Sequence, residues 1–126
     1  MSRISLLLIL FAAVSAGAGT GTLTHAGVKS AGSAMAFLDV CEVAGFAPEG
    51  ITERYRESAR KGLTSAYWQA VDRQYQSSLR EKTMYMVSRD AWLPFDVEPV
   101  ACEQIAKVSE QLIKNYDELA KLAEED

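Results

Sequence analysis

Apolar and polar positions alternate along most of this chain with the period of a helix. Ala34, Phe37, Leu38, Cys41 and Ala44 recur at the i, i+3, i+4, i+7 spacing of one helical face. Ser33 can cap such a helix and Gly45 can end it, so the first helix is expected over 33–44. "GFAPEG" reads as a turn, with Pro48 and Gly50 as its punctuation. A second helix is expected from Thr52 to Lys61, with Gly62 as its terminal glycine or a kink. The stretch "TSAYWQAVDRQYQSSLREKTMYMV" then reads as one long helix. Its stripe is Trp68, Val71, Tyr75 and Leu79, with Leu63 and Tyr67 beside it and Arg73 and Arg80 on the other side. β-branched residues are few and no strand-like alternation persists, so no strands are expected.

Pro94 and Pro99 interrupt the helical pattern, and Pro99 suits the first position of a final helix. That helix carries three acid-to-lysine pairs at i, i+4: Glu103/Lys107, Glu110/Lys114 and Asp117/Lys121. Opposite them lie Cys102, Ile105, Leu112, Tyr116 and Leu119, with Val108 and Leu122 at the margin. The expected fold is all-α, a small bundle of three or four helices.

The first residues change the picture. Arg3 precedes the apolar stretch Ile4–Val14, broken only by Ser5, and small residues follow. This is the layout of a secretory signal peptide, and the stretch is too short to span a membrane. Residues 1–18 are therefore read as the signal, with cleavage after Ala16, Ala18 or Ala26. The Gly/Thr/Ser-rich stretch 19–32 is expected as a flexible leader, and 33–126 as a single helical domain. The expected address is periplasmic or secreted, with no stable membrane insertion after cleavage.

Charge then excludes some partners. The chain has 13 basic and 17 acidic residues, and an acidic exported chain lacks the positive field that nucleic-acid binding needs. The charge is segregated: 54–89 is net basic and 90–126 net acidic, which reads as two segments that pack together or as mixed solvated faces, rather than as a dedicated basic binding face.

The only two cysteines, Cys41 and Cys102, both belong to apolar stripes. In an exported domain two core-facing thiols are expected to pair, tying the last turn of the first helix to the first turn of the last. A redox pair favours Cys-x-x-Cys, and a structural zinc site needs four ligands, so neither suits these residues. His25, the only histidine, lies in the expected leader, so no metal or cofactor is expected.

Chemistry is equally sparse. With no histidine in the expected domain and no Gly-x-Ser-x-Gly, His-Glu-x-x-His or phosphate-binding loop, the chain reads as a non-enzyme. Asp90, Asp96 and Glu98 are expected to cap the last helix.

The stretch with functional promise is "DAWLPF", where large aromatics sit in a connection between helices. Trp92 and Phe95 are candidate partner-binding anchors, with Leu93 among the contact residues and Arg89 and Asp90 as rim. The opposing possibility is that this loop closes the open end of the bundle. The functional expectation is an exported, non-enzymatic protein that binds another envelope or secreted protein, as an inhibitor or immunity protein does. The alternatives are a periplasmic stress or acid chaperone, whose trigger is carboxylate protonation, and a small-ligand carrier.

Overall fold

A computed structural model describes residues 19–125; the segment read as a signal peptide lies outside them. The elements run α1 (His25–Val43), α2 (Ile51–Gly62), α3 (Ser65–Glu81), β1 (Thr83–Met86), a 3₁₀ turn (Val87–Arg89), β2 (Ala91–Pro94) and α4 (Pro99–Glu125). The expected all-α bundle is present, with four helices among the described residues and one short hairpin added. α1 packs chiefly on α3 and α2 chiefly on α4, and the hairpin lies along α1.

The first helix begins eight residues before Ser33, because Thr24 caps it: the Thr24 hydroxyl accepts the Gly27 N–H at 2.9 Å. The stretch 19–32 is thus no flexible leader. Further along α1 every residue from Ala31 to Leu38 is buried, and the small residues Ala31, Gly32, Ser33, Ala34 and Ala36 fall in that run. At Gly32 a Cβ would come within 2.5 Å of the Gln74 side chain and 2.7 Å of the Val71 carbonyl, so glycine sets how closely α1 approaches α3. Small residues that look like linker composition here serve helix packing.

Glu42, in the last turn of α1, caps the start of α2 from outside. Its two carboxylate oxygens accept the Gly50 N–H at 2.8 Å and the Thr52 N–H at 3.0 Å. Gly50 needs its glycine because it sits at φ +84°.

α3 ends six residues before the long helix expected through Val87. Lys82 turns into the left-handed region at φ 57° and donates its N–H to the Ser78 carbonyl at 2.7 Å, closing the helix. The chain then extends into strand: Thr83, Met84, Tyr85 and Met86 pair antiparallel with Pro94, Leu93, Trp92 and Ala91. Asp90, at φ 47°, makes the return. The two strands are four residues each, too short for alternation to show in sequence.

Cys41 and Cys102 are bonded, with their Cα atoms 5.5 Å apart, and the bridge joins the end of α1 to the start of α4 as expected. Around it Phe37 packs with Phe95, Met84 and Ile105. The larger core gathers Met35, Leu38, Ile51, Tyr55, Leu63, Trp68, Val71, Ile113 and Tyr116 from all four helices.

α4 begins at Pro99 as expected, but its cap differs. Asp90 is taken by the Tyr85 hydroxyl, and no side-chain bond from Asp96 or Glu98 to the first turn forms among the described residues. Of the three expected ion pairs only Glu103–Lys107 forms, at 3.1 Å. Glu110 instead takes Arg54 of α2 in a two-pronged pair at 2.8 and 2.9 Å, and Lys121 lies 3.8 Å from Glu118. The Arg54–Glu110 pair is a direct contact between the basic and acidic segments.

Candidate functional site

The hairpin is anchored to α1 by three independent contacts. The Phe95 N–H donates to the Lys82 carbonyl at 2.9 Å, closing the hairpin base. By the alternation of an antiparallel ladder, Tyr85 and Trp92 then turn their main-chain groups outward. The Tyr85 N–H, pointing toward α1, meets the Ser33 hydroxyl at 3.0 Å, and this serine is fully buried. Ser33 is therefore not the expected helix cap but an acceptor that fixes β1. The Lys29 ammonium sits 5.1 Å from the centre of the Tyr85 ring, and the Phe95 ring packs 5.2 Å from that of Phe37.

On this fixed base Trp92 stands on Tyr85, ring centres 5.1 Å apart, and remains 41 % exposed. The Tyr85 hydroxyl donates to Asp90, which raises the tyrosine pKa and ties the turn to the strand. Arg89 is exposed at the turn, beside exposed Val87. Leu93 is half-buried. Pro94 offers no N–H on the outer edge of β2, so strand addition there is disfavoured.

Of the five candidate contact residues, the hairpin thus brings Arg89, Asp90 and Trp92 together at the surface, whereas Phe95 turns its ring into the disulfide cluster. The residue pattern could not separate the two aromatics without the strand register.

Trp92 also forms one end of a groove that sequence reasoning missed. Gln74, Ser77, Glu81, Thr83 and Trp92 line a hollow of about 360 Å³. Gln74 and Ser77 are shared with a second hollow of about 560 Å³, floored by Leu23, Val28, Ala66, Tyr67 and Ala70 and rimmed by His25 and Arg73. Through these two shared side chains the hollows adjoin along α3, one toward the start of α1 and the other toward the hairpin. Arg73 makes no ion pair among the described residues. The sequence signal was present in Ala66 and Ala70, which break the polar face of α3 at i, i+4, but it points to a groove only once α1 is known to begin at His25.

His25 is a correction. Expected outside the folded part, it is the first residue of α1 and lines the groove. Its presence removes one of the reasons for reading the chain as a non-enzyme. Ser58 and Lys61 stand at Ser-x-x-Lys spacing on α2, but Ser58 is buried, Lys61 exposed, and no hydrogen bond joins them. No cluster of three histidine, cysteine or carboxylate side chains suited to a metal occurs among the described residues.

The stripe of α3 faces the other way and is structural. Trp68 and Val71 are buried, and the Tyr75 hydroxyl donates to Asp39 at 2.6 Å, with burial and that carboxylate raising its pKa. The Arg56 guanidinium lies 5.2 Å from the Trp68 ring and 5.4 Å from that of Tyr75. Its Nη2 is 3.0 Å from Asp72 Oδ1, near enough to pair but outside hydrogen-bond alignment.

A second apolar surface lies at the disulfide end. Phe46, Pro48, Pro99 and Ala106 line a hollow of about 420 Å³, with Glu103, Lys107 and Glu110 on its rim. Those three charges are already paired, Glu103 with Lys107 and Glu110 with Arg54.

No protein-family model matches the chain, and neither does any curated protein or solved structure. Among the described residues no helix is long and apolar enough to cross a membrane. The disulfide is compatible with an extracytoplasmic protein.

Proposed function

We propose that this chain is an exported, non-enzymatic domain that binds another envelope or secreted protein through the α3 groove and Trp92, as an inhibitor or immunity protein does. The observation that carries this reading is Trp92 itself. An indole left 41 % exposed on a hairpin that is otherwise pinned to the helix beneath it has its geometry set before any partner arrives. Large aromatics held in that way supply much of the energy of protein interfaces, and a pre-ordered anchor reduces the entropy lost on association. Arg73, with no ion pair among the described residues, adds positive charge beside an apolar floor, the composition of an interface rim.

The test is capture of a partner from the envelope fraction with the wild-type chain, Trp92→Ala, Ala70→Glu and Val43→Asp. A single stoichiometric partner should be held by the wild type and by Val43→Asp, at the disulfide end. It should be weakened about 30-fold or more by Trp92→Ala, the loss expected of an anchor worth roughly 2 kcal/mol. Binding indifferent to Trp92 and Ala70 but lost with Val43→Asp would move the interface to the disulfide end and overturn the assignment.

A further inference from the structure

The extended segment that precedes α1 is held to the end of α2 mainly by its backbone. The Gly19 N–H donates to the Leu63 carbonyl at 3.1 Å, and the Gly21 N–H to the Gly62 carbonyl at 2.8 Å. The Gly21 carbonyl accepts the Thr64 N–H at 2.9 Å, completing a short parallel pairing. Gly19 sits close against the last turn of α2. A Cβ there would come 2.3 Å from the Lys61 carbonyl oxygen and 2.4 Å from that of Gly62, so no other residue fits without movement. The last carbonyls of a helix carry the negative pole of its dipole, and a cation placed beside them is stabilised.

Position 19 has a second property, visible in the sequence. It directly follows Ala16-Gly17-Ala18, a small-x-small signature of signal cleavage. We propose that the Ala18–Gly19 bond is the one cut on maturation, and that the amino group so freed docks on the carbonyl end of α2. The proposal rests on the export reading above. Hydrolysis by a signal peptidase consumes one water, leaving a carboxylate on Ala18 and an amine on Gly19 that takes up a proton at neutral pH. The amide nitrogen of Gly19 has one N–H; the ammonium has three donors and a full charge. The bond to Leu63 is kept and becomes charge-assisted.

The other two candidate sites fit less well. Cutting after Ala26, the second residue of α1, would remove the three strap bonds. It would also remove the Thr24 cap and Leu23, which packs on the main core. Cutting after Ala16 would leave two extra residues and an uncharged amide at position 19.

Intact-mass measurement and N-terminal sequencing of the chain recovered from a bacterial envelope should find Gly19 first. Purified chains beginning at Gly17, Gly19 and Gly27 should then melt in a defined order at pH 7. The Gly19 chain should be highest, the Gly17 chain about 2–5 °C lower, and the Gly27 chain lower by about 10 °C or more. Acetylating the Gly19 amine should reproduce the Gly17 melt. A mature chain that begins at Gly17 or Gly27 would overturn the cleavage assignment while leaving export intact. Equal melting of the free and acetylated Gly19 chains would overturn the docking of the amine. A chain that is never cut and stays in the cytoplasm would overturn the export reading itself.

Discussion

Tyr85 and Trp92 face each other across the hairpin with ring centres 5.1 Å apart, one buried and the other 41 % exposed. The pair converts a fixed strand into a presented indole, and it separates Trp92 from the nearby Phe95, whose ring packs on Phe37. The two aromatics should therefore respond differently to truncation.

Trp92→Ala should cost about 1–2 kcal/mol, less than Phe95→Ala, because 41 % of the indole stays in water in the folded chain and its loss opens no core cavity. Phe95→Ala should cost about 2–3 kcal/mol, since it opens the cluster around the disulfide. Urea unfolding followed by circular dichroism measures both. Equal losses would place Trp92 in the core and remove it as an anchor.

Glu42 joins α1 to α2 by accepting two main-chain N–H groups, and those bonds hold its carboxyl below the ordinary carboxylate pKa, Gly50 first and Thr52 second. A carboxylate whose folded pKa is lowered contributes stability that is present above its unfolded value, about 4.3, and is lost as pH falls through the folded value. Glu42→Gln should therefore cost about 1 kcal/mol at pH 7, the loss typical of a helix cap. The difference from wild type should shrink as pH falls below about 4.3 and close only below the lowered folded value. Glu57 and Glu110 are lowered in the same direction by Arg60 and Arg54, so the wild type itself should lose stability on acidification. Melting curves from pH 7 to 3 test both statements.

Removing the bridge with Cys41→Ala and Cys102→Ala should cost about 4 kcal/mol, the chain-entropy value for a closed loop spanning 61 positions. Met35, Tyr55 and Tyr116 remain packed without it, so the variant should stay helical at low temperature but melt far earlier. Thermal denaturation with and without reductant makes the comparison on the wild type.

Gly32→Val should be among the most damaging single changes outside the disulfide. The added carbons would meet the Gln74 side chain and the Val71 carbonyl oxygen and push α1 off α3. A loss of at least about 2 kcal/mol is expected, and a neutral result would show that the two helices are less closely packed than described.

These residues also show what was legible beforehand. α2 and α4 can be read from their spacing because each presents water with one charged face, and the disulfide because both cysteines lie on apolar stripes. α1 is harder for a physical reason. A helix buried on most sides has little contrast between faces, and its Gly, Ser and Ala residues imitate a linker. The hairpin is hidden because "TMYM" shows no polar alternation and because Lys82 and Asp90, not glycines, take the left-handed positions. With both misread, the groove between them was out of reach, although Trp92 was already a candidate contact.

The most direct measurement is photo-crosslinking in the native envelope from a reactive side chain placed at position 92, at position 77, or at position 108. Ser77 lines the groove, whereas Val108 is exposed on α4, none of whose residues lines it. Crosslinks of one discrete mass from 92 and 77, and none from 108, are the result expected of a protein-binding groove. A ladder of many masses from all three positions, or that one mass from 108 alone, would contradict it.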